Sequence, residues 1–393
     1  MNQTEANNIG GISDNADVVG RLVSFLVDKS LPLWSSVGLD RKTGSFIERL
    51  NLDGSPDVCR PRRIRVQARQ IYSFAKAFQM GWFPDGASIA LEGLRFLQSK
   101  SWAVDGRPGY VHLLNVDGTV LDASRDAYDH AFVLLALATT YAISHDPKIL
   151  KYIDEAVQFL ERCMRAPSGG FVEGVPLKSP RRQNPHMHLF ESVIALYDAT
   201  GCVHYQDLAL ELYELFAGHF YDAPSGTLGE YFEDDLSPVL PAVVEPGHQA
   251  EWVWLLWEFE RISSLPTSTF RQSLLTSALR YRDKQGFLVD EGDRTGRPTK
   301  ETRRLWPQTE LAKAWIAQAA THGSEAGQEA LEAFGRLERS YLKYPVPGGW
   351  YEHLDQAGQS LVDFIPATSL YHLVCAIAEG ARALKTGSFP VQS

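Results

Sequence analysis

A glycine turn followed closely by a large apolar residue returns six times along this chain, and the spacing leaves few folds open. The apolar residues are Phe46, Tyr110, Phe171, Leu228, Phe287 and Trp350, at steps of 64, 61, 57, 59 and 63. A fixed period of this size is the mark of a repeat architecture, in which each unit buries its apolar face against its neighbours. Each unit reads as a strand-and-turn piece, then a mostly apolar helix, then a more amphipathic helix. The first helices begin near Arg62, Ser124, Asn184, Gly247, Arg304 and Ala367, and their partners cover residues 84–100, 147–165, 205–220, 267–282 and 325–342. A helix over residues 16–29 supplies the remaining partner. Six hairpins with apolar inner members and polar-faced outer members predict an all-α fold, an (α/α)6 barrel with short β-hairpins at one end. No Pro/Gly/Ser-rich linker divides the chain, so residues 1–393 are expected to form a single catalytic domain.

Polar side chains on apolar helices need a reason, because buried charge is costly unless paired. In Glu245-Pro246-Gly247-His248-Gln249-Ala250-Glu251-Trp252, the Pro-Gly pair opens a helix, and His248 and Glu251 share one face of it. Other inner helices carry Arg69; Tyr128 and His130; Asn184, His188 and Glu191; Trp306 and Glu310; and His372. Taking one per helix, Arg69, Tyr128, His188, His248, Trp306 and His372 step by 59, 60, 60, 58 and 66. Any one alone reads as a satisfied core group. Six in register at the same end of a ring converge on one pocket, and binding sites are apolar hollows with a few converging polar groups. His186, His188 and Glu191 are zinc-type ligands, but residues two apart on a helix do not face each other, so no metal is expected. Arg60, Arg62, Arg63, Arg65 and Arg69 form a basic cluster. Most of it reads as an ion-paired face, but Arg62, Arg65 and Arg69 share one helical side that suits a phosphate or sulfonate.

The formal net charge of −10 argues against nucleic acid or an anionic membrane as the main partner. The longest apolar run, residues 131–143, is too short to span a bilayer. Cys59, Cys163, Cys202 and Cys375 are scattered, with no zinc or redox spacing, and the polar N-terminus lacks a secretion pattern. Reduced thiols in a cytoplasmic protein follow from this. A homo-oligomer is compatible with the sequence.

Gly247-His248 with Glu251, Asn184 with His188 and Glu191, Gln67-Ala68-Arg69 and Tyr371-His372 together resemble the N-acylglucosamine 2-epimerase superfamily, over about residues 31–384. Residues 304–310 and 366–372 look most like its mannose isomerase branch. One departure concerns Arg65, four residues before Arg69, where many relatives have tryptophan. The resemblance implies an (α/α)6 barrel, no cofactor, no catalytic metal, and a monosaccharide substrate whose C2 proton is moved by two histidines. It implies His248 and His372 as the acid–base pair on opposite sides of the pocket and Arg69 as holder of the oxyanion. By the same token Glu251 orients His248, while Asn184, His188 and Glu191 bind hydroxyls and Trp306 stacks on the ring. Tyr128, His130 and Glu310 complete the expected substrate-binding set. The expected reaction interconverts D-mannose and D-fructose through a cis-enediolate. Alternatives are a sugar 2-epimerase of the mannose/glucose or N-acylglucosamine type, and an isomerase of a phosphorylated or sulfonated sugar. A glycosidase using Glu251 and Glu310 as its two carboxylates, or a non-catalytic sugar-binding barrel, would leave the paired histidines without a task.

Overall fold

The computed structural model describes residues 17–386 of the chain. It is helix-rich, and its helices alternate between two roles. The N-terminal helix α1 (Val18–Phe25) continues through a π-turn at Leu26–Ser30 into α2 (Leu31–Ser36), so it runs past its expected end. Pro32 does not stop it, because it sits in the first turn of α2, where no N–H is needed. Ala16, the expected first residue, lies outside the described residues.

The inner helices are α3 (Ile64–Gln79), α5 (Ala127–Ser144), α7 (Gln183–Thr200), α9 (Pro246–Ser263), α11 (Leu305–His322) and α13 (Ser369–Lys385). Between them lie α4 (Gly86–Ser101), α6 (Pro147–Cys163), α8 (Val203–Leu215), α10 (Ser268–Leu279) and α12 (Ser324–Ser340). The difference is written in side-chain pattern. Helix α5 buries an unbroken run from Asp129 to Thr140, as an all-round apolar helix must. Helix α6 buries Ile149, Ile153, Ala156, Val157 and Leu160, one stripe at three- and four-residue spacing. Each inner helix packs against the next in sequence, and α13 returns to α3. Helix α1 packs on α12 and α13, as the outer partner of the last inner helix.

Short hairpin strands repeat this cycle at the end where the inner helices begin. Arg62–Arg63 pairs with Leu113–Leu114, Arg125–Asp126 with Gly174–Val175, and Arg181–Arg182 with Tyr231–Phe232. Val243–Val244 pairs with Glu291–Asp293, Arg303–Arg304 with His353–Leu354, and Phe364–Pro366 with Arg49–Asn51. One backbone bond then ties the start of an inner helix to the following unit: Ile64 N–H to His112 O, Ala127 to Glu173, Gln183 to Glu230, Leu305 to Glu352, and Ala367 to Glu48. At the sixth place stands Pro246, which has no N–H to donate.

A second fastening joins four of the hairpins to their own helices. The N–H of Phe46 donates to Gln67 Oε1 (2.7 Å), Tyr110 to His130 Nε2 (3.0 Å), Phe171 to His186 Nε2 (3.0 Å) and Leu288 to Gln308 Oε1 (2.9 Å). The fifth repeat position is therefore Leu288, not Phe287. Alternation along a strand sends successive side chains to opposite faces, and this corrects the arginine cluster. Arg62 belongs to a strand, not to α3; it is buried outward on Ser45 Oγ (3.1 Å), while Arg63 faces inward. No helix among the described residues is long and apolar enough to cross a membrane.

Candidate active site

The starts of the inner helices surround a cavity of about 440 Å³. Arg69, Tyr128, His188, His248, Trp306 and His372 all line it, so the six residues in register are brought together. Asn184 and Glu251 line it as well. His130, Glu191 and Glu310, expected to bind substrate, are not on its wall. Both nitrogens of His130 are used to hold its hairpin: Nε2 accepts from Tyr110 and Nδ1–H donates to Asp126 O (2.8 Å). Glu191 and Glu310 lie behind the histidines. His188 Nδ1–H donates to Glu191 Oε2 (3.0 Å), which also accepts at Oε1 from Tyr371 OH (2.5 Å). His372 Nδ1–H donates to Glu310 Oε1 (2.9 Å).

Glu251 does not orient His248. Helical spacing offered it, but a carboxylate from a hairpin takes the place: His248 Nδ1–H donates to Glu230 Oε2 (2.9 Å), with Glu245 Oε2 at 3.7 Å. Glu251 Oε1 lies instead 3.9 Å from His188 Nδ1. The Asn184 side-chain amide lies 3.1 Å from His248 Nε2, and against a protonated Nε2 it presents its oxygen, which otherwise has no partner. Gly247 lets an aromatic ring close on the start of α9, since a Cβ there would lie 2.5 Å from Trp306 Cζ3. The indole sits between the two expected catalytic histidines, 4.9 Å from the His248 ring and 5.8 Å from that of His372. The two therefore flank Trp306.

The surroundings push these imidazoles apart in charge. Burial lowers His372 to about 4, against the opposing pull of Glu310, and Arg69 and Lys313 push the same way as burial. Burial likewise lowers His188 to about 4. At His248 burial also favours the neutral ring, but the carboxylates of Glu230 and Glu245 outweigh it and hold the group up at about 10. Burial raises Glu245 and Glu352, both on the cavity wall, to about 7. It raises Glu251 well above the usual carboxylate range, reinforced by Glu310 nearby. Around neutral pH the site thus holds a cationic His248 beside a neutral His372 and His188.

Arg69 donates to the hydroxyls of Thr368 and Tyr128 (2.7 Å to the latter) and lies 4.0 Å over the Phe132 ring. Arg63 is paired with Glu48 and Arg65 with Asp129, each at 2.8 Å. Arg304 also lines the cavity and, among the described residues, makes no side-chain hydrogen bond or ion pair.

His186 and His188 are not brought together, since His186 Nε2 is taken by Phe171. Donor atoms of Glu230, Glu245 and His248 do lie within 4.8 Å of one another, the spacing a divalent ion would need. Two further groups, His188 with Glu191 and Glu251, and His372 with Glu251 and Glu310, meet the same spacing. Glu251 and Glu310 do not flank a bond to be cut, because Glu310 lies behind His372, off the cavity wall. Sequence reasoning missed Glu230, Glu245, Arg304, Glu352 and Thr368. The signal lay in the hairpins: Glu48, His112, Glu173, Glu230, Asp290 and Glu352 each follow the repeated apolar residue by two positions.

The family model for N-acylglucosamine 2-epimerase (GlcNAc 2-epimerase) matches residues 44–376. The chain belongs to this family. A mannose-6-phosphate isomerase of Rhizobium meliloti (strain 1021) is 36% identical over 387 residues, covering 93% of this chain and 97% of that protein. A D-mannose isomerase of Thermobifida fusca is 27% identical, over 69% of this chain and 72% of its own. The solved cellobiose 2-epimerase from Spirochaeta thermophila DSM 6192 superposes with a TM-score of 0.86 over 95% of this chain and 98% of that one, at 24% identity, and shares the fold.

Proposed function

We propose that this family member is a metal-independent aldose–ketose isomerase that interconverts D-mannose and D-fructose. The whole chain acts as one (α/α)6 barrel with the site at its hairpin end. The observation that carries the reading is the pair of histidines flanking Trp306, one held cationic and one neutral. Titratable groups pushed apart in this way mark the acid and the base. His248 opens the sugar ring: it donates its extra proton to O5 as the C1–O5 bond breaks, and takes up in turn the proton that leaves the O1 hydroxyl. His372, with a bare Nε2, takes the proton from C2 of the open chain and returns it to C1, while the proton of the C2 hydroxyl passes to O1. Arg69 stabilises the oxyanion of the enediolate. Trp306 packs on the apolar face of the sugar, and Asn184 and His188 bind its hydroxyls. The names of the relatives support sugar isomerase or epimerase chemistry.

The test is mannose deuterated at C2, followed by nuclear magnetic resonance in ordinary water with a chelator present. Fructose should form with part of the label at C1, because a single base can carry the proton across one face of a planar enediolate. Loss would be partial, since a protonated histidine exchanges with water before it hands the proton on. Glucose as first and main product would assign a 2-epimerase, which must return the proton to C2 from the other face. Activity that dies with chelation and returns with one divalent ion would overturn metal independence.

A second reading, an isomerase of a phosphorylated or sulfonated sugar, is favoured by one observation. Arg304 makes no side-chain hydrogen bond or ion pair among the described residues, although Glu245 and Glu352 feel its charge, and it stands on the cavity wall with Arg63, Arg65 and Arg69. A planar guanidinium without an ion pair is suited to grip such an anion in a bidentate manner. The name of the Rhizobium meliloti relative points the same way. On this reading Arg304→Gln lowers kcat/KM for mannose 6-phosphate by about 10- to 100-fold, the worth of a hydrogen bond to charge, and changes kcat/KM for mannose less than about threefold. Equal effects on both sugars would exclude recognition of the anion by Arg304.

A further inference from the structure

Beneath the cavity, off its wall, lies a lysine that the reaction outlined above does not use. Lys313, on α11, is fully buried. Its ammonium is 2.7 Å from Glu310 Oε2, while the other oxygen of that carboxylate accepts from His372 Nδ1–H. Nζ also donates to Cys375 Sγ (3.6 Å) and lies 3.8 Å over the Trp254 ring. A buried ammonium needs an anion, and the neighbours leave one. Burial pushes the Cys375 thiol up to about 12, so it is a neutral acceptor. Glu251 is likewise driven towards its neutral form. Glu191 is bonded to His188 and Tyr371. Glu191 is held below the usual carboxylate range too, but its bonds go to that pair; Glu310 is the anion in contact with the ammonium and is held at about 2, where burial works against its charge but Lys313 and His372 outweigh it.

We propose that Lys313 is a positioning residue for the isomerisation: it fixes Glu310 as an anion, and that anion holds His372 in the tautomer that presents a bare Nε2 to the sugar. This rests on the reading of His372 as the C2 base. A protonated Glu310 could donate to His372 Nδ1 instead of accepting from it. The ring proton would then move to Nε2, and the lone pair that takes up the substrate proton would be lost. Charge acts in the same direction, because an anion behind an imidazole stabilises the imidazolium formed when the ring takes up a proton. The groups facing His372 are Glu310 and Lys313 from α11, Arg69 from α3 and Glu251 from α9.

The experiment compares the wild type with Lys313→Met, Glu310→Gln and the double variant, after circular dichroism has checked each fold. Three quantities are read: kcat and KM for mannose, the acid limb of kcat/KM against pH, and the nitrogen-15 shifts of the His372 ring. Lys313→Met should lower kcat by about 10- to 100-fold and leave KM within about threefold, since Lys313 is not on the cavity wall. The acid limb should move to lower pH, because loss of the Glu310 anion outweighs loss of the lysine charge, which by itself lowers His372. The shifts should report transfer of the ring proton from Nδ1 to Nε2. Lys313 acts only through Glu310, so Lys313→Met should cost nothing further in the Glu310→Gln background. This second comparison also serves if the lone lysine variant fails to fold, because the double variant removes both charges together. A folded Lys313→Met enzyme with wild-type kcat and an unmoved His372 tautomer overturns the proposal, and so does a full further loss in the Glu310→Gln background. A failure of the underlying reading looks different: His372→Ala would then keep its activity, while the nitrogen-15 shifts still report whether Lys313 governs the ring.

Discussion

Replacing either His372 or His248 by alanine is expected to lower kcat by about 10²–10⁴-fold, the usual contribution of a general acid or base. Far-ultraviolet circular dichroism should stay that of the wild type. Each histidine lines the cavity, and each leaves behind a carboxylate with another partner: Glu310 keeps Lys313 (2.7 Å), and Glu230 keeps Gln183 Nε2 (3.0 Å). The pH profile distinguishes the two. A base works only when unprotonated, so wild-type kcat/KM should rise through the ionisation of His372, near 4. An acid works only while protonated, so activity should fall as His248 loses its proton, near 10. Any residual activity of His372→Ala should lack the acid limb, and that of His248→Ala the alkaline one. Near-wild-type rates in either folded variant would remove that histidine from the mechanism.

The six cavity residues were legible because a helix converts a spacing near 60 into a common height and face. Arg69, Tyr128, His188, His248, Trp306 and His372 needed no knowledge of their partners to be found. Their partners were less legible, because a hydrogen bond between distant elements leaves no local period. Three-residue spacing does join His188 to Glu191, though both were read as binders of sugar hydroxyls, and it fails for His248, where a hairpin carboxylate 18 residues upstream reaches Nδ1 first. His372 takes its carboxylate from 62 residues away, and Tyr371 from 180 residues away. His130 misled for a related reason: a histidine that fastens a hairpin carries the same signature as one that meets a ligand. The arginines failed through a wrong period. Continuing a helix back to residue 62 put Arg62 on the cavity side, whereas two residues of strand give that side to Arg63.

Arg69→Ala is expected to lower kcat/KM by about 10²–10³-fold, the cost of removing one donor from an oxyanion site. The geometry around Arg69 suits that task better than ground-state binding. Its guanidinium is bonded to Thr368 from the end of the chain and to Tyr128 from α5, and lies against the faces of Phe132 and, at 5.3 Å, Tyr371. A cation fixed in this way need not reorganise when negative charge develops on the sugar oxygen. Lysine keeps the charge but, as a point donor on a flexible stem, cannot bridge Thr368 and Tyr128 together. Arg69→Lys should therefore regain less than about a tenth of the lost activity. Two inhibitors separate stabilisation of the enediolate from plain sugar binding. A hydroxamate that imitates the planar enediolate should lose affinity in parallel with kcat/KM, whereas an open-chain sugar alcohol, which carries no developing charge, should lose little. Equal losses for both would make Arg69 a ground-state contact and pass the oxyanion to another donor on the wall.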